Sequence, residues 1–154
     1  MSGEVVIRRM DLQSVNQAAE LEKACFADPW SLNSLLSELL NPNAVYLTAM
    51  RGQTVLGYVG VHHILDEGHI TNLAVDPACR REGVARTLLT ELIAYARAEN
   101  FAFLTLEVRA SNQAAIALYG GLGFARAGLR LRYYKHPVED AVIMTLDMMG
   151  AGES

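Results

Sequence analysis

Two short stretches of this 154-residue chain carry side chains in arrangements suited to chemistry. In FLTLEVR, alternation puts Thr105, Glu107 and Arg109 on one face of a strand and Leu104, Leu106 and Val108 on the other. A single carboxylate in so apolar a strand is a candidate proton acceptor. The plainer alternative is an ion pair with Arg109 on a solvated face. In SNQAAIALYGGLG, Asn112 and Tyr119 stand seven residues apart, about two helical turns. Asn112, Ala115, Ile116 and Tyr119 then share one face. Tyr119 offers a phenol for proton donation or an aromatic for packing. Asn112 is a helix N-cap, a ligand contact or both.

A third stretch, VDPACRREGVARTLL, places arginines and one glycine where a strand gives way to a helix. Gly83 is not followed by the Lys-Ser/Thr of a phosphate loop, and no further glycines complete a dinucleotide fingerprint. The setting is still one in which a helix N-terminus meets an anion. Taken alone, the stretch is better read as an ordinary strand–helix joint with a solvated basic turn. His62, His63, Asp66, Glu67 and His69, within HHILDEGH, look like a metal cluster on paper. They span a hairpin turn, His62 and His63 face opposite ways, and no H-E-x-x-H helix is present, so no metal is expected. Cys79 is expected to be an exposed thiol beside the basic turn, with nothing local to make it a nucleophile.

These residues need elements to position them, and the chain has the means. It is 51% hydrophobic and 19% charged, enough for one core and without the signature of disorder. A formal net charge of -4 argues against a general nucleic-acid binder and suits a neutral or basic polypeptide partner. Cys25 and Cys79 make no disulfide framework or zinc knuckle. The N-terminal MSGEVVIRRMD lacks an apolar leader core, and no apolar run is long enough to span a bilayer. A cytoplasmic protein is expected.

EVVIRRM reads as a strand. DLQSVNQAAELEKACF reads as a helix with Asp11 as N-cap and a mostly apolar stripe of Leu12, Val15, Ala18, Ala19, Glu22 and Phe26. Asp28-Pro29 breaks it. SLNSLLSELL starts a second helix, and AVYLTAM, RGQ and TVLGYVGVHHIL read as a hairpin. HITNLAV is a strand stopped by Asp-Pro. The Gly83 helix runs to about Asn100 and buries Leu88, Leu89, Leu92, Ile93 and Ala96. FAFLTLEVR, SNQAAIALYGGLG, FARAGLRLRYY and AVIMTLDMM complete the order βααβββαβαββ. Hairpins with one helical crossover predict an α/β fold with a mixed sheet rather than a doubly wound one.

Arg80-x-x-Gly83-x-Ala85 matches the Q/R-x-x-G-x-G/A motif of the GNAT superfamily of acetyl-CoA-dependent N-acetyltransferases. NLAVDP, LEVRASNQAAIALYGGLGF and RLRYY…EDAVIMTL follow in the family's order and spacing. Together they resemble its RimI type, the ribosomal-protein-alanine N-acetyltransferases, from FADPW to MTLDM. The resemblance implies a single domain over residues 1–149 with a loose tail at 150–154, a mixed sheet of about seven strands with flanking helices, and acetyl-CoA as co-substrate.

The resemblance also implies roles. Arg81, Glu82, Gly83, Val84, Ala85 and Arg86 would hold the CoA pyrophosphate, with free backbone N–H groups at the helix start and added charge from Arg81 and Arg86. Leu73, Ala74 and Val75 would pair with pantetheine as a strand edge, and Asn112 would contact CoA. Glu107 would accept a proton and Tyr119 donate one. Pro29 and Trp30 would line the peptide entrance. Tyr133 and Tyr134 stand where related enzymes hold the substrate backbone; adjacent strand residues face opposite ways, so only one of the two is expected to do so. Direct transfer to the N-terminal alanine of a small-subunit ribosomal protein, in a ternary complex, is the implied reaction. Two other readings stay open: a GNAT enzyme for lysine or a small-molecule amine, which peptide and amine panels would separate, and a non-catalytic acyl-CoA-binding module, which should have lost Glu107 and Tyr119.

Overall fold

Alternating apolar residues and well-placed turn formers lay down seven strands in the computed structural model, which describes residues 3–148. They are β1 Val5–Arg9, β2 Ala44–Arg51, β3 Thr54–Ile64, β4 Glu67–Val75, β5 Phe103–Arg109, β6 Ala125–Lys135 and β7 Val138–Asp147. The helices are α1 Val15–Cys25, α2 Leu32–Leu39, α3 Val84–Ala98 and α4 Gln113–Gly121. The order is the expected one. The strands form one mixed sheet, β1-β2-β3-β4-β5-β7-β6, antiparallel except for the β4–β5 pair. The tail expected at 150–154 lies outside the described residues.

Alternation along β2 and β3 sorts side chains to two cores. Tyr46 and Tyr58 pack with Val15, Ala18 and Leu35 of α1 and α2. Val45, Leu47, Val59 and Val61 pack with Leu88, Leu89, Leu92 and Ala96 of α3. Those three leucines are 0% exposed, so each contributes on the order of 2–3 kcal/mol by leaving water. They anchor α3 and therefore fix where its first turn points.

The boundaries depart from the sequence expectation at α1. Asp11 does not cap the helix; its carboxylate accepts from the N–H groups of Gln13 and Ser14 at 3.0 Å and closes a turn before the helix, which starts at Val15. Leu12 and Phe26 fall outside α1 and are exposed. Val15, Ala18, Ala19 and Glu22 of the expected stripe are buried, joined by Leu21. The Gly83 helix ends at Ala98.

The feature that shapes the site is in β4. Opposite β3, Gly60 pairs with Asn72 and Val61 with Ile70, which leaves Thr71 as the extra residue of a β-bulge. On its other side β4 meets β5 only where Glu67, Gly68 and His69 pair with Phe103, Leu104 and Thr105. Beyond that point the strands diverge. Gly68 sits at the joint, where a Cβ would lie 2.7 Å from the Leu104 side chain and 2.8 Å from that of Phe101, both buried, so a larger residue would displace them.

Candidate active site

Divergence of β4 from β5 opens a cleft of about 590 Å³. Ile70 to Leu73 line one wall and Leu106 to Arg109 the other. The helix α4 contributes Asn112, Ala115 and Tyr119, the loop after α1 contributes Trp30, and the β6–β7 hairpin contributes Tyr133 and Tyr134. Past His69, the β5-facing side of β4 has no strand partner. A strand edge of this kind offers N–H and C=O groups to an extended ligand, as in β-augmentation.

Glu107 and Tyr119 both open into this cleft. Alternation along β5 holds as expected, with Leu104, Leu106 and Val108 buried and Glu107 on the opposite face. Glu107 is not a lone carboxylate, nor the partner of Arg109. Its Oε1 lies 2.7 Å from His69 Nε2, and its Oε2 accepts from Arg130 Nε at 3.1 Å. Arg109 binds Glu139 at 3.2 Å and lies 4.3 Å from the ring centre of Tyr134. Tyr119 is buried, with its ring edge-on to Phe124 at 5.7 Å. Its hydroxyl has no protein hydrogen bond, yet no buried side-chain polar atom among the described residues lacks a partner; the oxygen therefore reaches the cleft. Burial pushes the phenol above its usual range, which keeps it protonated.

Asn112 is the N-cap of α4, with its side-chain oxygen accepting from Ala115 N at 3.1 Å, and it also lines the cleft. Gly83 is the N-cap of α3 at φ 79°, a left-handed conformation suited to glycine, and a Cβ there would meet open space. The first intrahelical bond runs from Thr87 N to Gly83 O, so the N–H groups ahead of it face outward. Arg81 and Arg86 are exposed beside them. Val84 is buried in the core, and Glu82 pairs with Arg51 at 3.1 Å, so both offer only backbone. Of the β4 residues, Leu73 lines the cleft and Ala74 turns its side chain into the core. The Val75 carbonyl accepts from Cys25 Sγ at 3.3 Å.

A diverging β4 edge beside a left-handed glycine at a bare helix start fits an extended, anionic ligand. The Acetyltransferase (GNAT) family profile matches residues 15–124. The chain belongs to the GNAT acetyltransferase family. This acetyltransferase is 38% identical over 144 residues to the Escherichia coli K12 [ribosomal protein bS18]-alanine N-acetyltransferase, covering 91% of this chain and 95% of that one. It is 38% identical over 149 residues to the N-alpha-acetyltransferase RimI of Mycobacterium tuberculosis, covering 93% and 92%. The crystal structure of the E. coli ribosomal-protein-S18-alanine N-acetyltransferase superposes with a TM-score of 0.89 over 98% of both chains, at 35% identity. The GNAT enzyme described here is an acetyl-CoA-dependent N-acetyltransferase.

Several expectations need correction. Tyr133 and Tyr134 do not face opposite ways: both line the cleft, with ring centres 5.0 Å apart. The ladder to β7 slips between Arg130 and Tyr134, and Arg132 adopts φ 54°, so a bulge resets the alternation. Burial raises the Tyr134 phenol to about 12. Cys79 is buried rather than exposed, and burial raises its thiol pKa, which suits packing and not reaction. Among the described residues no three His, Cys, Asp or Glu side chains converge as a metal site. His62 binds Glu38 at 2.8 Å, His63 packs on Phe101, and His69 binds Glu107. Pro29 lies outside the main cleft, in a groove with Ser31, Ser34, Ser37 and Glu38 that shares Trp30 with it. No helix among the described residues is long and apolar enough to cross a membrane.

Other contacts that pattern reading did not supply shape the cleft. Glu22 is 1% exposed and accepts from Trp30 N at 2.8 Å, from the Tyr58 hydroxyl, and from Asn72 Nδ2 at 3.4 Å. It ties the loop after α1 to β3 and to the bulged part of β4. Across the cleft mouth, His136 Nδ1 lies 2.7 Å from Asp28 Oδ2, joining that loop to the β6–β7 hairpin. A charge on an otherwise apolar helical stripe was the available signal for Glu22. For His136 and Asp28, 108 residues apart, none existed.

Proposed function

We propose that this enzyme acetylates the α-amino group of N-terminal alanine on a small-subunit ribosomal protein. The cleft at the β4–β5 divergence carries the reading, since a carboxylate and a protonated phenol open into it beside an unpaired strand edge. The names of the E. coli and M. tuberculosis relatives, at 38% identity over nearly whole chains, support the substrate. Acetyl-CoA supplies an acyl group already activated as a thioester. The Leu73–Val75 backbone and Asn112 hold its arm, and the Arg81–Arg86 turn holds its phosphates. Glu107 takes a proton from the substrate ammonium, whose pKa is roughly 7.7–8.0. The freed lone pair forms the new N–C bond as the C–S bond breaks. Tyr119 gives its proton to the departing sulfur, and the extra proton left on the new amide nitrogen restores the phenol through water. Trp30, Tyr133 and Tyr134 flank the entrance, with Pro29 in the adjoining groove, and guide the chain end.

An α-amine is the better match because a lysine ε-amine, at roughly 10.4, is harder to deprotonate by about 2.5 pH units. The test uses a peptide that begins with alanine and carries an internal lysine, alongside the same peptide with its N-terminus blocked. Acetylation is expected on the free α-amine, located by mass spectrometry, with the blocked peptide inert. Equal rates on both peptides would make this a lysine acetyltransferase.

The phosphate role has its own test. Gly83→Glu adds a negative charge where the helix dipole favours an anion, and should weaken CoA binding on the order of tenfold. Gly83→Ala carries the same left-handed strain without the charge and serves as control. Calorimetry that finds both variants binding as the parent does would remove this turn from the cofactor site.

A further inference from the structure

One histidine of HHILDEGH, His69, lies against the candidate proton acceptor. We propose that His69 is a positioning residue for Glu107 and that its charge state sets how well Glu107 accepts a proton. The inference rests on the reading of Glu107 as acceptor. Glu107 has a 10% exposed side chain, and its two oxygens are taken by His69 at 2.7 Å and Arg130 at 3.1 Å. With His69 neutral, Nε2–H donates to Oε1 and Arg130 Nε–H donates to Oε2. The carboxylate plane is fixed, and each oxygen keeps a lone pair for the substrate. The His69 side chain is 41% exposed and is not part of the cleft wall, so bulk solvent reaches it even when the cleft is filled.

Imidazoles change charge between roughly pH 5 and 8. When His69 gains its proton, Glu107 stands between two full positive charges, both of which favour its ionised form and oppose proton uptake. The other charged or titratable groups near His69 come from each neighbouring element. His62 of β3 is its register partner, and Glu38 of α2 engages His62 at 2.8 Å. Arg130 and Tyr133 of β6 surround Glu107 from the far side. Glu38 holds His62 at 2.8 Å, and His69 is the imidazole in direct contact with the acceptor.

The experiment compares kcat/KM from pH 5.5 to 8.5 for the parent, His69→Gln, His69→Leu, His62→Gln and Glu107→Gln, with CoA affinity as the check on folding. Glutamine keeps a donor and cannot titrate. His69→Gln should therefore lose about tenfold less activity than the parent between pH 7.5 and 5.5. His69→Leu removes the donor and should lower kcat at every pH, with KM for peptide and CoA affinity little changed, and His69→Gln should recover most of that loss. His62→Gln should keep the parent's acid limb. A His69→Gln profile that overlays the parent, a leucine variant as fast as the glutamine one, or an acid limb abolished by His62→Gln would each overturn the proposal while leaving Glu107 as acceptor. A Glu107→Gln enzyme as fast as the parent would instead overturn the acceptor reading and this inference with it.

Discussion

Glu107→Gln is expected to slow acetyl transfer on the order of a hundredfold near pH 6.5, with a smaller deficit as the pH rises. The amide keeps the shape of the side chain and its contact with His69, but it takes up no proton. Only substrate that has already lost its proton to water then reacts. Below an α-amine pKa of roughly 7.7–8.0 that fraction falls tenfold per pH unit. Above it most of the amine is free and the carboxylate matters less. Initial rates on an alanine peptide from pH 6 to 9, with CoA affinity by calorimetry, check this. A constant ratio of parent to variant rate across the range would mean that Glu107 acts through shape or charge rather than as a base.

Tyr119→Phe should cost a comparable factor, on the order of a hundredfold in kcat. The substitution removes one oxygen from a ring that stays packed against Phe124, so CoA binding and thermal stability should hold. Burial raises the phenol's pKa, which keeps it protonated through the working pH range. A proton is therefore always present for the leaving sulfur, and the loss should not vary with pH. The cleanest check is a substitute acyl donor whose thiol is more acidic than that of CoA, because such a leaving group needs less help. If the phenylalanine variant stays equally slow with that donor, the hydroxyl does not protonate the leaving group.

The order of elements was legible because periodicity and turn formers agree along most of the chain. Glu107 stood out for a local reason: one carboxylate among alternating leucines and valine. Its surroundings did not, since His69 arrives through a three-residue parallel contact and Arg130 through the β5-β7-β6 order. Neither a parallel register nor a strand order that departs from chain order leaves a mark in a window of ten residues. Tyr133 and Tyr134 show the complementary failure. Strict alternation separates them, but a bulge at Arg132, with no glycine to announce its positive φ, brings both to the cleft. The α1 start was misplaced because Asp11, a good cap by type, spends its carboxylate on the preceding turn, and the helix begins after Ser14 without a side-chain cap.

The divergence of β4 from β5 also bears on where the fold keeps its unpaired strand edges. A row of unpaired strand groups at the rim of a sheet is a template for aggregation. Here the unpaired row is set in the middle of the sheet, facing β5 across the cleft, with the loop after α1 and the β6–β7 hairpin meeting at the cleft through Asp28 and His136. The strands at the true rims carry the usual deterrents, Arg8 and Arg9 on the short β1 and Arg126, Arg130, Arg132 and Lys135 on β6. Sticky backbone is thus kept indoors and charge is posted at the borders, so a binding edge is gained without a surface that recruits another strand.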